Sequence, residues 1–263
     1  MSALLARQHD GAVLRLVLRD AATRNSLSDA MMADLQEALD AAKDDASVRV
    51  IVIAGDGPAF CSGHNLKEIT ARRSSADRGA AGFLDLFQRC AALMLSIVNH
   101  PRPVIAEVAG LASAAGCQLV ASCDLAVAGE AARFCTPGVN IGLFCSTPMV
   151  ALSRAVARKH AMEMLLTGDV ISAADAWRFG LVNRVVAEAG LTETTLALAR
   201  QIASKSALTV KTGKQAFYAQ ADMPLAEAYA HTAQVMADNL LARDAEEGIA
   251  AFIGKRPPQW EDR

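Results

Sequence analysis

The side chains able to do chemistry are spread thinly along this chain of 263 residues. Six cysteines stand at 61, 90, 117, 123, 135 and 145, and five histidines at 9, 64, 100, 160 and 231. No two cysteines are spaced as CxxC and the histidines are scattered, so no metal site is expected. No stretch of the opening MSALLARQHD has the apolar length of a secretory leader. Reduced thiols and a cytoplasmic address are therefore the expectation. Cys145 precedes a helix start, which would lower its pKa and make it a proton donor or a reactive thiol. The alternative is a small core residue. The loop GDGPAFCSGHN, 55–65, holds three glycines and a proline and gathers Cys61, Ser62, His64 and Asn65.

Around these residues the chain has the composition of a packed globular protein, with 52% apolar and 21% charged residues. Net charge is −2 and no run of Lys or Arg exceeds two, so neither nucleic acid nor an anionic membrane surface is indicated. The apolar region 104–129 is interrupted by Glu107, Gln118 and Asp124, which reads as buried core and not as a membrane span. Strands are expected over Val13–Leu18, VRVIVIAG (48–55), PVIAEVAG (103–110) and DLAVAG (124–129). Ser28 caps a helix with Met31, Leu35, Leu39 and Ala42 at helical spacing. Another starts at Leu66, and a third carries Phe83, Leu86, Phe87, Cys90, Leu93, Met94 and Ile97 on one side before Pro101 and Pro103. The polar stretch 72–79 is expected as a mobile loop, and the small-residue run 111–122 as helix. Thr147 is a candidate cap ahead of Pro148; Ser172 opens a helix that Gly180 closes. Amphipathic patterns then fill 191–204, 206–220, 224–242 and 244–253. Strand–turn–helix alternation followed by helices implies an α/β fold with parallel sheet and a helical C-terminal portion.

Four segments, in order, resemble motifs of the crotonase superfamily, the enoyl-CoA hydratase/isomerase group. RNSL (24–27) is similar to R/K-N-A-L, and AFCSGHNLKE (59–68) to A-F-x-A-G-A-D-[IL]-K-E. GLASAAGCQLVASCDLAVAGEAARF (110–134) resembles G-x-A-x-G-G-G-x-E-L-A-L-x-C-D-x-x-x-A-x-x-x-A-x-F. TGDVISAADAWRFGLVNRVV (167–186) resembles T-G-x-x-[IL]-x-A-x-x-A-x-x-x-G-L-V-x-x-V. The resemblance runs from about residue 10 to Pro257. It implies a ClpP-like spiral of ββα units over 1–200, with a helical trimerisation region at 201–263. It also implies a lyase or isomerase of fatty acid metabolism that binds an acyl-CoA, with no cofactor beyond the coenzyme A of its substrate. A homotrimer or a dimer of trimers is the implied assembly.

By the same resemblance, the amides of His64 and Ala115 are the oxyanion donors. Two N–H groups aimed at a thioester oxygen stabilise the charge that develops there, and small residues and a helix start let the backbone come close. Coenzyme A contacts are implied for Arg24, Ser26, Leu27, Ser62, Gly63, Asn65, Leu66 and Gly116, with Phe252 and Lys255 near the phosphates, from a neighbouring subunit if need be. Departures are equally specific. The family's first glutamate falls on Gln118, which orients a water but accepts no proton from it; its second falls on Gly138. Weak or absent hydratase activity is expected, and ordinary isomerisation is in doubt. The SGHNL run is similar to the S-A-G-H-D-[IL] of methylmalonyl-CoA decarboxylase, whose tyrosine falls on Cys145 here. His64 and Cys145 are therefore candidates for handling a polar or carboxylated acyl group. Glu68 and Asp77 are candidates for a substitute acid. A non-catalytic acyl-CoA-binding regulator and a decarboxylase of malonyl-type thioesters are the alternatives.

Overall fold

A computed structural model describes residues 4–263; residues 1–3 of the opening segment lie outside it. Strand β1 (Leu5–Asp10) forms a hairpin with β2 (Val13–Leu18), turned at Gly11, whose φ of +56° suits glycine. Parallel to β2 lie β3 (Val50–Gly55), β4 (Val104–Val108), β6 (Leu125–Gly129) and β9 (Arg184–Val186), in that order. Every residue of β4 is buried, as a strand covered on both faces requires. A second sheet of three short strands, β5 (Leu111–Ser113), β7 (Arg133–Cys135) and β8 (Ile171–Ser172), sits beside the first.

Three turns of the chain repeat one plan. β3 leads to Cys61, which bridges Ala112, and then to α2 (Leu66–Arg72). β4 leads to β5 and then to α4 (Ala115–Ser122); β6 leads to β7 and then to a 3-10 turn, Pro137–Ile141, ahead of α5 (Pro148–Ala155). Long strands stack in one sheet and short partners in the other, which is the spiral of ββα units the resemblance implied. The run 111–122 is therefore not all helix. Its first three residues pair with β7, and tertiary pairing overrides the helical propensity of small residues there.

Helix α1 (Asp29–Asp44) takes its cap from Ser28, whose Oγ accepts from the Met31 amide at 3.1 Å, and buries Met31, Leu35, Leu39 and Ala42. α3 (Ala80–Val98) buries Leu86, Cys90, Leu93, Met94 and Ile97, on the stripe the sequence marks. By length and composition alone α3 could cross a membrane, yet this buried stripe makes it a core helix. Between α2 and α3 the chain runs through turns, with Asp77 accepting from the Gly79 and Ala81 amides at 3.0 and 2.8 Å. α6 (Arg158–Thr167) ends at Gly168, and α7 (Ala173–Phe179) carries a full capping box of Ser172 and Asp175 before Gly180. Thr147 precedes Pro148 as expected but makes no side-chain cap, because its own backbone is already helical.

The C-terminal portion is α8 (Leu191–Ala203), α9 (Ala207–Gln220), α10 (Leu225–Leu240) and α11 (Arg243–Ile253). α8 covers the sheet, packing Leu191 and Ala199 into a cluster with Val13, Val50, Val52, Ile105 and Val127. α9 is tied down by Lys214, whose Nζ donates to Asp124 at 2.7 Å, and by the Tyr218 hydroxyl, which donates to the same carboxylate at 2.9 Å. Asp124 also accepts from the Val104 amide, which fixes the β4–β6 ends.

Candidate functional site

Asn25 organises the first wall of the site. Its Nδ2 donates to the carbonyls of Asp56 and Ala59, both at 2.8 Å, and its Oδ1 accepts from the Asp20 amide. Arg24 and Asn25 both have positive φ, 56° and 55°, so the chain reverses sharply before Ser26. The 24–27 segment then lies along 62–63: the Ser62 amide donates to Arg24 O and the Leu27 amide to Gly63 O. Ser62 Oγ donates to Thr23 O at 3.0 Å, while Asn65 caps α2 by accepting from the Lys67 and Glu68 amides. Arg24, Leu27, Ser62 and Gly63 are thus joined by hydrogen bonds, with Ser26 between them and Asn65 and Leu66 following at the start of α2. Of these, Leu66 is exposed and the Ser26 hydroxyl is buried without a partner.

The second wall meets the first through two glycines. A methyl group built on Gly63 would stand 3.0 Å from the Ala114 Cβ and 3.4 Å from the Ala115 nitrogen. One built on Gly116 would stand 2.1 Å from the Cys61 carbonyl oxygen. Only glycines allow this approach, and it sets the turn at Gly63, just before His64, against the Ala115 nitrogen. Ala115 is the first residue of α4, so its N–H has no acceptor within the helix and sits at the positive end of the dipole. Ala114, just before it, has φ 50° and ψ −114°, a strained conformation for a residue with a side chain.

The acid side of the site looks different. Gln118 is buried on α4, and its Oε1 lies 4.0 Å from the Cys90 thiol. Gly138 is buried in the 3-10 turn, where a Cβ would meet Leu143 O at 2.8 Å and Cys145 Sγ at 2.9 Å. The room a second acid would need is filled by Cys145. Burial pushes the Cys145 thiol up, not down as its place before a helix suggested; its sulfur is desolvated, and that outweighs the Gly138 amide. Desolvation likewise raises Cys117 and Cys135. The substitute acids are engaged elsewhere. Glu68 accepts from the Asp29 amide at 3.0 Å, Asp77 caps α3, and Glu107 pairs with Arg15 (2.7 Å) and Thr192 (2.8 Å).

His64 itself is well held. Nδ1 lies 3.3 Å from Leu27 O, and the ring meets Phe87 edge-on with centroids 5.7 Å apart. Burial, with the charge of Arg72 behind it, holds the ring below the ordinary histidine pKa. Phe252 sits exposed at the end of α11 and Lys255 exposed in the turn that follows, and neither has a hydrogen bond to the cluster of 24–27 and 62–66. No group of His, Cys, Asp or Glu among the described residues could hold a metal ion. Sequence reasoning quoted Asn25 only within its motif and missed it as the hub. The available signal was a buried-type turn whose asparagine has three backbone partners within reach.

The sequence and the overall fold are similar to those of known proteins. The human mitochondrial enoyl-CoA hydratase domain-containing protein 3 is 52% identical over 255 residues, covering 97% of this chain and 82% of the relative. Its crystal structure superposes with a TM-score of 0.93 at 49% identity, covering 98% of this chain and all of the other. An enoyl-CoA hydratase from Mycobacterium smegmatis gives a TM-score of 0.93 at 47% identity, over 98% and 99% of the two chains. The human relative and its rat and frog counterparts are named mitochondrial, which overturns the cytoplasmic expectation. Reduced thiols do not separate cytoplasm from the inside of an organelle, and import uses a different kind of leader from secretion. The family model for enoyl-CoA hydratase/isomerase matches residues 8–263, and this chain belongs to that family.

Proposed function

We propose that the chain binds an acyl-CoA thioester and stabilises negative charge on the thioester oxygen with the amides of His64 and Ala115, without the carboxylate pair that hydration uses. The observation that carries this reading is the glycine-mediated contact of Gly63 with Ala115 and of Gly116 with Cys61. It supports two donors acting together, because the turn carrying His64 packs on the Ala115 nitrogen, and each such donor contributes about 3 kcal/mol to the transition state in enzymes that use them. Arg24, Ser26, Leu27, Ser62, Asn65 and Leu66 hold the nucleotide and pantetheine, and the reaction asks for no cofactor beyond the coenzyme A of the substrate. Gln118 orients a polar group but takes no proton from it, and Gly138 offers none. Crotonyl-CoA is therefore bound and scarcely hydrated.

The test is hydration of crotonyl-CoA, followed at the enoyl thioester absorbance, with thermal shift on the same ligand. A shift without turnover supports the reading; turnover at the rate of an ordinary hydratase overturns it. Absence of both acids also suits a non-catalytic acyl-CoA binder. Turnover of malonyl-type thioesters, read by carbon dioxide release, would separate an enzyme from that binder. Exposed Phe217, Leu225, Tyr229, Met236, Leu241 and Phe252 on α9–α11 support a homotrimer or dimer of trimers, which sedimentation would show.

A further inference from the structure

Helix α4 is entered through a residue whose backbone is shaped for glycine. Ala114 has φ 50° and ψ −114°. That is close to the first central position of a type II′ turn, about +60° and −120°, where glycine predominates. Six residues other than glycine have positive φ among the described residues: Arg24, Asn25, Arg78, Ala114, Lys255 and Asp262. Ala114 alone of these has no polar side chain with which to steady its own turn. Its conformation therefore persists because the surroundings impose it.

Those surroundings grip the residue from both sides. The Ser113 amide donates to Cys61 O and the Ala114 amide to Cys135 O, each at 2.9 Å, while Ala114 O accepts from the Gln118 amide at 3.0 Å. Leu111–Ser113 is paired throughout with Arg133–Cys135. Both peptide planes that meet at Ala114 are thus fixed, one by the short sheet and the other by the first turn of α4. The second plane contains the Ala115 N–H. In a planar trans peptide the C=O and the following N–H point in opposite directions. With Ala114 O drawn along α4 by Gln118, the Ala115 N–H points out of the helix start, where it has no acceptor among the described residues.

The methyl group of Ala114 has a second effect. A Cβ built on Gly63 would stand 3.0 Å from it, with Ser113 O at 3.1 Å and Ala115 N at 3.4 Å. The side chain that strains the turn is therefore also the one that fills the space between the two walls. A glycine at 114 would take the turn without strain, but it would leave that space open and let the Ala115 peptide plane rotate.

We propose that Ala114 is a positioning residue for the Ala115 amide. Its methyl group and its locked turn hold that N–H toward the turn carrying His64, so that exchanging the methyl for hydrogen strengthens the fold and weakens the site. The inference rests on the acyl-CoA reading above and deepens it, by naming what keeps one of the two donors aimed.

The experiment uses the full chain with 3-oxobutyryl-CoA, whose enolate puts negative charge on the thioester oxygen and absorbs where the neutral ester does not. In the unaltered chain the bound ligand is expected to be more enolised than free ligand at neutral pH, because aimed amides stabilise that charge. Ala114→Gly should raise the melting temperature and lower the enolate-to-neutral ratio of bound ligand about tenfold. Loss of a whole donor costs about a hundredfold or more in enzymes that rely on one, and a donor left in place but misaimed costs less. Ala114→Ser, which keeps a Cβ, should retain the ratio of the unaltered chain. A purely structural role would move the melting temperature and leave this ratio alone. An unchanged ratio in Ala114→Gly would overturn the proposal. So would a lower melting temperature in that variant, which would make the methyl ordinary packing, or an equal fall of the ratio in Ala114→Ser. Bound ligand no more enolised than free ligand in the unaltered chain would sink the oxyanion reading and the proposal with it. Enolisation that is present and untouched by Ala114→Gly would sink only the role of Ala114.

Discussion

The two halves of the site are built from different material, and only one of them resembles the family's equipment. Around His64 and Ala115 the working groups of the proposed site are backbone amides, with glycines at 63 and 116 allowing the close approach there. Around Gln118 and Gly138 the working groups would be side chains, and Gln118, Gly138 and Cys145 stand there instead. A backbone donor survives a change of side chain, so alanine at 115 costs the oxyanion geometry nothing that a glycine would supply. A carboxylate does not survive replacement by an amide or by hydrogen. On the proposed reading, the contrast is between charge stabilisation that rests on backbone and proton transfer that rests on side chains.

Breaking the backbone half should have the largest effect. Gly116→Val would force a methyl group into the Cys61 carbonyl, 2.1 Å from the ideal Cβ. A loss of about 3 kcal/mol of stability is expected from such overpacking, with acyl-CoA binding gone. Urea denaturation and thermal shift would measure the two. On the side-chain half, Gly138→Glu should cost about 1–3 kcal/mol, because Leu143 O and Cys145 Sγ occupy its space, and should yield no hydration. Adding Cys145→Gly should recover only the part of that loss due to the sulfur in the same denaturation experiment, since Leu143 O stays in place.

A smaller effect should come from acid. Burial lowers the pKa of both His64 and His100, and His100 accepts from the Arg102 amide through Nδ1. The unfolded chain, with histidines near their usual pKa of about 6.5, therefore binds more protons than the folded one below neutrality. Stability should be full above about pH 7 and should fall as pH drops through that range. Melting temperatures at pH 8, 6.5 and 5.5 would show the slope, and His64→Leu should flatten it. The smallest expected change is a gain. Ala114→Gly relieves a residue at φ 50°, ψ −114°, and should raise stability by about 1 kcal/mol, seen as a higher melting temperature.

Much of the frame was legible because local signals and tertiary structure agree in it. Ser28 and Ser172 cap the helices their sequences announce, and β2 keeps the boundaries its apolar run suggests. β5, β7, β8 and β9 were not legible, being two or three residues long and defined only by the strand beside them. In the site, motif spacing pointed to His64 and Ala115, since a backbone donor needs only the right turn. The fate of Cys145 was hidden, because a helix dipole argument ignores what fills the space around the sulfur. Burial decides its pKa, and among the groups packed near the sulfur is Gly138, seven residues away in sequence.

That packing of Cys145 into the space beside Gly138 works as an evolutionary ratchet. Restoring a glutamate at 138 alone collides with the sulfur, and shrinking residue 145 alone opens a void with nothing to occupy it. Each single step toward a carboxylate at 138 costs stability before the second can offset it, so the two positions are expected to change together.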